Sequence, residues 1–251
     1  MLDPDRRCGE LMGELIEPLA WDSEFFGVPI ARVDLNGATA ERLCAIDAEA
    51  RAQGIACLYG RLEPTDEAAA YLAQTFGHRL VEVALTFDRP AIPFTPKPST
   101  AQVRPGTLDD LPALDAAIGT LAPWSRFAAD PRFGLEAARR MHEAWMERAA
   151  RETDERALYV AYDETGITGV ATFVRSPVPR VDTKGVTKPS TGAADALMVA
   201  LFEWAGGGPT EAGPCAARNV APVRYLERCG FRVCRSRYLF HRWLDETEAS
   251  T

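Results

Sequence analysis

The sequence predicts a mixed α/β protein, α+β in its layering, with a mixed sheet flanked by helices and a smaller domain in front of it. Three observations carry this. Strand-like and helix-like segments alternate along the 251 residues, a length that supports one large domain or two small ones. A proline-rich break, "PAIPFTPKP", holds four prolines between Pro90 and Pro98. It lacks the amide hydrogens and the freedom in φ that helices and ladders need. The segment orders on either side of the break also echo one another. The expected division is residues 1–90 as the partial N-terminal domain, 91–100 as linker and 101–251 as the main domain.

The elements follow in order. "AEARAQGIACLYGRLEPTDEAAAYLAQTFGHRLVEVALTFDR" reads as helix end, strand, helix, glycine, strand. Gly77 is the left-handed cap of its second helix. After the break, "AQVRPGTLDDLPALDAAIGTLA" reads as a short strand, a turn and a helix. Thr107 caps that helix, and Asp109 and Asp110 lie at the positive end of its dipole. A longer helix follows, with Leu135, Ala138, Met141, Trp145 and Ala149 at helical spacing. "ALYVAYDETGITGVATFVRS" is a hairpin turning at residues 163–166, and "RVDTKGV" is a polar strand. Then Ala194, Leu197, Met198, Leu201, Phe202 and Ala205 share one helix face. A strand "GPCAAR", a helix over about residues 219–229 and a final strand "FRVCRSRYLFHRWL" complete the chain. The run from Leu201 to Arg242 thus repeats the order of the N-terminal run, with Gly230 matching Gly77. One supersecondary unit used twice explains this, as does the coincidence of two αβ units.

Bulk composition narrows the function classes. The net charge of −8 argues against nucleic acid as a partner, because duplex binding needs a cationic surface. Six cysteines form no CxxC pair and only three histidines are present, so no metal site is expected. The N-terminus "MLDPDRRCGE" has no apolar core of a secretion signal, and no apolar run reaches the roughly 20 residues of a membrane helix. The expectation is a cytoplasmic monomer or homodimer with reduced thiols and no membrane or nucleic-acid partner.

The stretch "TKPSTGAADALMVALFEWA", from Thr187, poses the chemical question. Small residues run straight into an amphipathic helix. A helix N-terminus offers unpaired amide hydrogens and a partial positive charge, which suit a diphosphate. Gly192, Ala193 and Ala194 leave room for it, Ser190 and Thr191 add hydroxyls, and Lys188 adds charge. Ordinary capping and close packing explain the same residues.

The order strand, small-residue loop, helix ending "EWA", strand, "RNVAPVRYLERCGF", strand resembles the GNAT acyl-CoA N-acyltransferase superfamily over about residues 101–245. In that family a [Q/R]-x-x-G-x-[G/A] loop binds the coenzyme A diphosphate through backbone amides. Gly192 and Ala194 match its last two positions, whereas Pro189 stands in place of Arg or Gln, and Ser190 where a glycine often lies. "LAWDSEFFGVPIARV", "WSRFAADPRF" and "YLFHRW" are similar to the TDP-fucosamine acetyltransferase group, whose members carry a partial GNAT-like N-terminal domain. The resemblance implies acetyl-CoA, or another acyl-CoA, as donor and the amine of an amino sugar, free or nucleotide-linked, as acceptor. An aminoglycoside-like or amino-acid acceptor, or a non-catalytic binding module, are the alternatives.

An N-acyl transfer needs proximity, loss of the amine proton and a donor for the oxyanion. Val186 and Thr187, at the end of the strand before the loop, are the backbone candidates for that donor. The family's thiolate acid is a tyrosine at the position of Leu226 here. Tyr225 lies one residue earlier, a rotation of about 100°, so it is either a displaced acid or a packing aromatic. Asn219 matches the family's pantetheine-contacting asparagine and is equally a helix N-cap. His241, in the closing strand, is either catalytic or structural. Ser125 and Arg126 belong to the sugar-nucleotide-like loop, where Arg126 could pair bidentately with a diphosphate or face solvent. Cys215 has no histidine and carboxylate arranged to make it a nucleophile.

Overall fold

A computed structural model of the protein describes residues 15–152, 154–187 and 191–245. Two compact units result. One comprises residues 1–81 with 237–251, and the other residues 82–236. The division therefore falls before the proline-rich break, and the chain's last stretch returns to the first unit.

In the first unit, β1 (Glu17–Pro18), β2 (Ile30–Asp34), β3 (Cys57–Leu62) and the end of β10 (Arg232–Trp243) lie in that order. β2 and β3 run parallel, from Ile30 beside Cys57 to Asp34 beside Arg61. β10 is antiparallel to β3, from Tyr238 beside Leu62 to Trp243 beside Cys57. Helices α1 (Ala20–Phe26), α2 (Ala40–Ala52) and α3 (Glu67–Thr75) complete the unit. Two short side chains start the longer pair. Thr39 Oγ1 accepts the Arg42 N–H at 3.2 Å, and Asp66 Oδ1 accepts that of Ala69 at 3.1 Å. Val33, Leu43, Ile46, Leu58, Leu62 and Phe240 form the core, each contributing about 1.5–3 kcal/mol by leaving water.

His78 sits in this core at 1% exposure, and neither ring nitrogen has a hydrogen-bond partner. Burial, reinforced by the Arg242 charge and opposed by Asp47, pushes its pKa down to about 4. The folded state therefore holds a neutral imidazole where the unfolded chain protonates near 6.5. His78 makes no pH-dependent contribution above about pH 6.5. Its stabilising effect relative to the protonated chain falls away between there and pH 4, by about 3 kcal/mol in all. Urea unfolding across that window is expected to show this slope in the wild type and to lose it in His78→Leu. An unchanged slope in the variant would assign the acid sensitivity elsewhere.

The second unit contains β4 (Arg79–Arg89, from Glu82 onward), β5 (Gln102–Pro105), β6 (Arg156–Asp163), β7 (Gly166–Val174), β8 (Arg180–Val186) and β9 (Thr210–Ala216). Their order across the sheet is β4-β9-β8-β7-β6-β5. Side-chain alternation divides its two faces. Val160 and Val170 meet Ile118 of α4 (Asp115–Leu121) and Met146 of α6 (Gly134–Arg151). Ala161, Ala171 and Phe173 meet Leu197, Met198 and Leu201 of α7 (Ala193–Trp204) and Leu226 of α8 (Val220–Arg228). A four-residue helix, α5 (Arg126–Ala129), lies between α4 and α6.

Several local expectations shift. The α6 stripe is Ala137, Ala138, Met141, His142, Met146 and Ala149, while Leu135, second residue of the helix that begins at Gly134, is 49% exposed. β9 starts at Thr210, three residues before the expected strand. The helix expected from Thr107 opens as a 3-10 segment over Leu108–Leu114, with Pro112 inside it. Residues 90–100 form no spacer between domains. They lie within the second unit, held against α7 by a Lys97 N–H to Asp195 Oδ2 bond of 2.7 Å and a Ser99 Oγ–H to Thr191 O bond of 2.9 Å. Among the described residues no helix is long and apolar enough to cross a membrane.

Candidate active site

β8 and β9 are parallel neighbours that stay in register only at Arg180 beside Glu211 and Val181 beside Ala212. Beyond that they part. Gly213, at φ 101°, kinks β9, and Pro214 has no amide hydrogen for a ladder. On the other edge of β9 the register with β4 shifts between Leu85 and Phe87. The parting opens a gap along the β9-facing edge of β8 from Asp182 to Val186, where, among the described residues, no β9 residue pairs with it.

Hydrogen-bond parity decides which amides point into the gap. The Thr187 N–H donates to Thr168 O at 2.9 Å, and its hydroxyl donates to the same oxygen at 3.1 Å. Thr187 is thereby tied to β7 and turned away from the gap. This makes Val186 and Gly169 a pair that exchanges no hydrogen bond, so the Val186 N–H points away from β7, toward the opening. Of the two oxyanion-donor candidates, Val186 has the required direction and Thr187 has not.

Lys184 has the same parity as Val186. Its ammonium nitrogen is sealed from solvent, has no hydrogen-bond partner and lies 3.3 Å from the centre of the Tyr225 ring. Burial pushes its pKa down to about 7. The sequence reading missed it, since one lysine in a polar strand carries no signal of burial.

At the mouth of α7, Gly192 adopts φ 75°. A side chain there would meet Pro98 O at 2.7 Å and Ser99 Cα at 2.8 Å. The glycine is explained by the close approach of residues 98–99, and the room expected around it is filled on that side. Thr191 gives its carbonyl to the Thr100 N–H at 3.0 Å and its Oγ1 to the Ala193 N–H at 3.4 Å. Ala194 is half-buried, and its carbonyl accepts the Tyr225 hydroxyl at 2.6 Å. Lys188, Pro189 and Ser190 lie outside the described residues. Tyr225 thus points its proton at α7, as a packing residue does, and burial pushes its pKa upward. Asn219 occupies the N-cap position of α8, yet its side chain makes no capping bond. His241 belongs to the first unit, where it is 1% exposed and stacked on Tyr59 at 4.8 Å, the setting of a core histidine.

A second cluster lies around Glu82 on β4. The antiparallel register places Ala84 beside Ala216, which brings Glu82 near Arg218. Burial raises the Glu82 pKa above the usual carboxylate range, against the pull of Arg126, Arg218 and the Arg126 N–H. Arg218 Nη2 donates to Ser125 O at 3.2 Å, and its Cζ lies 5.8 Å from the centre of the Trp124 ring. Ser125 Oγ accepts the Phe127 N–H at 3.2 Å as the cap of α5. Arg126 and Ser125 are therefore brought together, but beside a carboxylate that sequence reading did not single out. Cys215 remains a protonated thiol, its pKa pushed up to about 11 by burial and then by Glu82.

The first unit holds a separate polar cavity of about 400 Å³ lined by Arg32, Arg42, Arg61 and Arg237. Arg32 and Arg237 are paired with Glu17 and Glu63, and Arg42 donates to the Asp34 and Asn36 carbonyls. Its charges are engaged in holding the unit together.

The gap fits an extended thioester arm such as that of an acyl-CoA. An amide-bearing chain can bond to the unpaired edge of β8 as a strand would, and the orphaned Lys184 nitrogen is a buried polar group in need of a partner.

No protein-family model matches the chain, and no curated protein matches its sequence. Solved structures do match. A conserved Staphylococcus epidermidis protein of unknown function aligns over 86% of this chain and 84% of its own, at 14% identity and a TM-score of 0.62. A GCN5-related N-acetyltransferase from Kribbella flavida aligns over 85% and 81%, at 15% identity and a TM-score of 0.56. A tandem GNAT protein from the clavulanic acid biosynthesis pathway aligns over 88% and 77%, at 15% identity and a TM-score of 0.52. The chain has the GNAT fold, and at these identities the likeness extends to the fold alone.

Proposed function

We propose that the protein is an acyl-CoA-dependent N-acyltransferase that works in the cytoplasm and moves an acetyl group to the amine of an amino sugar, free or nucleotide-linked. The parting of β8 and β9 is the observation that carries the acyl-transfer reading. It leaves a strand edge open where a thioester arm can lie, with the Val186 N–H turned toward it. The amino-sugar acceptor rests on the resemblance of three separated sequence motifs to the sugar-nucleotide acetyltransferases.

Each group has a distinct task. Bound acyl-CoA supplies an activated carbonyl and a thiol leaving group. Val186 directs a fixed amide dipole at charge developing on the carbonyl oxygen. Glu82 takes the proton from the acceptor amine, a role favoured by the burial that raises its pKa. Arg126 and Arg218 flank it and supply cationic surface for an acceptor that carries phosphate. Asn219, at the N-cap of α8 with no side-chain capping bond, bonds to the arm's amide groups.

Calorimetry with acetyl-CoA should show binding with a Kd of about 1–100 μM. Turnover on a panel of amino sugars and sugar nucleotides should follow. Glu82→Gln is expected to lower kcat about 100-fold and to flatten the acidic limb of the pH profile. Binding without turnover on any amine would favour a binding module, and absence of binding would remove the enzyme reading.

A further inference from the structure

A single exposed aromatic ring needs no explanation of itself, but Trp124 stands at a particular place. α4 is pressed onto β8 beside the gap. A side chain on Gly185 would meet Ala117 O at 2.8 Å and Leu121 Cδ1 at 3.0 Å. Four residues after Leu121, Ser125 O accepts the Arg218 Nη2 hydrogen at 3.2 Å, past the end of β9 at Ala216. Residues 121–125 therefore cross from β8 to the far side of β9 and span the gap on the α4 face. Strand alternation puts Glu82 on that same face. Leu85 and Cys215 pack toward α7 and α8, so Ala84 and Ala216 point the other way, and Glu82 and Arg218 with them.

Trp124 ends the 3-10 turn Ala122–Trp124 on this crossing. It is 40% exposed, whereas Phe127, three residues on, is 1% exposed. Arg218 links it to the proposed base: its charge acts on Glu82, and its Cζ lies over the indole, 5.8 Å from the ring centre. The bond to Ser125 O fixes that guanidinium, and a cation over the ring holds the indole in turn. The Arg126 N–H bonds to the Glu82 carboxylate, and two residues of chain span at most about 7 Å. An acceptor that offers its amine to Glu82 therefore meets Trp124 with the ring that carries the amine. A sugar ring has a flat face of C–H groups and a polar rim. The indole suits the face, and Glu82, Arg126 and Arg218 suit the rim.

We infer that Trp124 is the platform on which the acceptor's sugar ring lies, and so decides which amines reach Glu82. This rests on the reading proposed above. The experiment measures steady-state kinetics of the full chain with acetyl-CoA on hexosamines, free and nucleotide-linked, and on ethanolamine, an amine without a ring. Trp124→Ala is expected to raise the KM for free and linked hexosamines alike, about 10–100-fold, as the loss of one stacked ring does. The preference for hexosamines over ethanolamine should fall by the same factor. Trp124→Phe, which restores a flat ring, should return the hexosamine KM to within about threefold of the wild type, and both variants should bind acetyl-CoA within about threefold of it. An unchanged hexosamine KM in Trp124→Ala overturns the inference and leaves the proposed function standing. So does a loss confined to the nucleotide-linked sugars, which puts the nucleobase on the indole, or a weakened hold on acetyl-CoA, which makes the tryptophan structural. Absence of hexosamine turnover in the wild type overturns both.

Discussion

Gly192→Asp is expected to destabilise the second unit by roughly 3 kcal/mol or more, since a left-handed backbone and an overfilled contact each cost about 1–3 kcal/mol. The midpoint of thermal unfolding should fall by about 6–12 °C for a unit of this size. Gly192 holds φ 75°, and its missing side chain makes room for Pro98 O and Ser99 Cα. A sequence argument alone expects this substitution to abolish cofactor binding and spare the fold. The structure predicts damage to the fold itself, so loss of affinity in the variant would say little about a diphosphate. Ala194→Asp separates the two effects. Ala194 lies in the first turn of α7 and is half-buried, where an acidic side chain is favoured by the helix dipole. It should melt within about 2 °C of the wild type and bind acetyl-CoA at least about tenfold more weakly through repulsion of the diphosphate. If Gly192→Asp melted like the wild type, the packing of residues 98–99 on this glycine would be refuted.

Arg242→Ala should cost the first unit about 3–5 kcal/mol, the typical penalty for removing one partner of a buried ion pair. Arg242 Nε donates to Asp47 Oδ1 at 2.9 Å and its Nη2 to Asp47 Oδ2, with the side chains 9% and 11% exposed. Nη1 caps the end of α3 through the Phe76 carbonyl. One guanidinium thus joins β10, α2 and α3. Asp47→Leu alone strands a buried cation and should be comparably damaging. The double variant Arg242→Met with Asp47→Leu should recover most of the loss, because the desolvation of both charges disappears with the pair. Urea unfolding of the wild type, Arg242→Met, Asp47→Leu and the double variant gives the coupling. Simple addition of the two single losses would mean that the charges do not act as a pair.

Local pattern made much of the fold legible. The hairpin of β6 and β7 follows from two β-rich runs about a turn, and it forms at Arg156–Asp163 and Gly166–Val174. Leu197, Met198 and Leu201 of α7 bury as their spacing predicts. Even the polar run "RVDTKGV" is a strand, β8. The site was less legible. Lys184 reads as a surface lysine until α7 and α8 close over it, and Glu82 is one acid among many until β9 and α5 bring Arg218 and Arg126 to it. Thr187 could be told from Val186 only by hydrogen-bond parity with β7.

The sequence by itself determined the elements and their twofold echo. α2, β3, α3, Gly77 and β4 recur as α7, β9, α8, Gly230 and β10, with both glycines at positive φ. These features follow from periodicity, caps and turn chemistry, which act over a few residues. Only the tertiary structure decided where each echo's last strand goes. β4 pairs with β9 in the second unit, and β10 pairs with β3 in the first, so each copy completes the other unit's sheet. The same kind of decision parted β8 from β9 and created the gap. A strand's sequence specifies which faces it buries; its partner is chosen by contacts between residues far apart in the chain, whose information no local window contains.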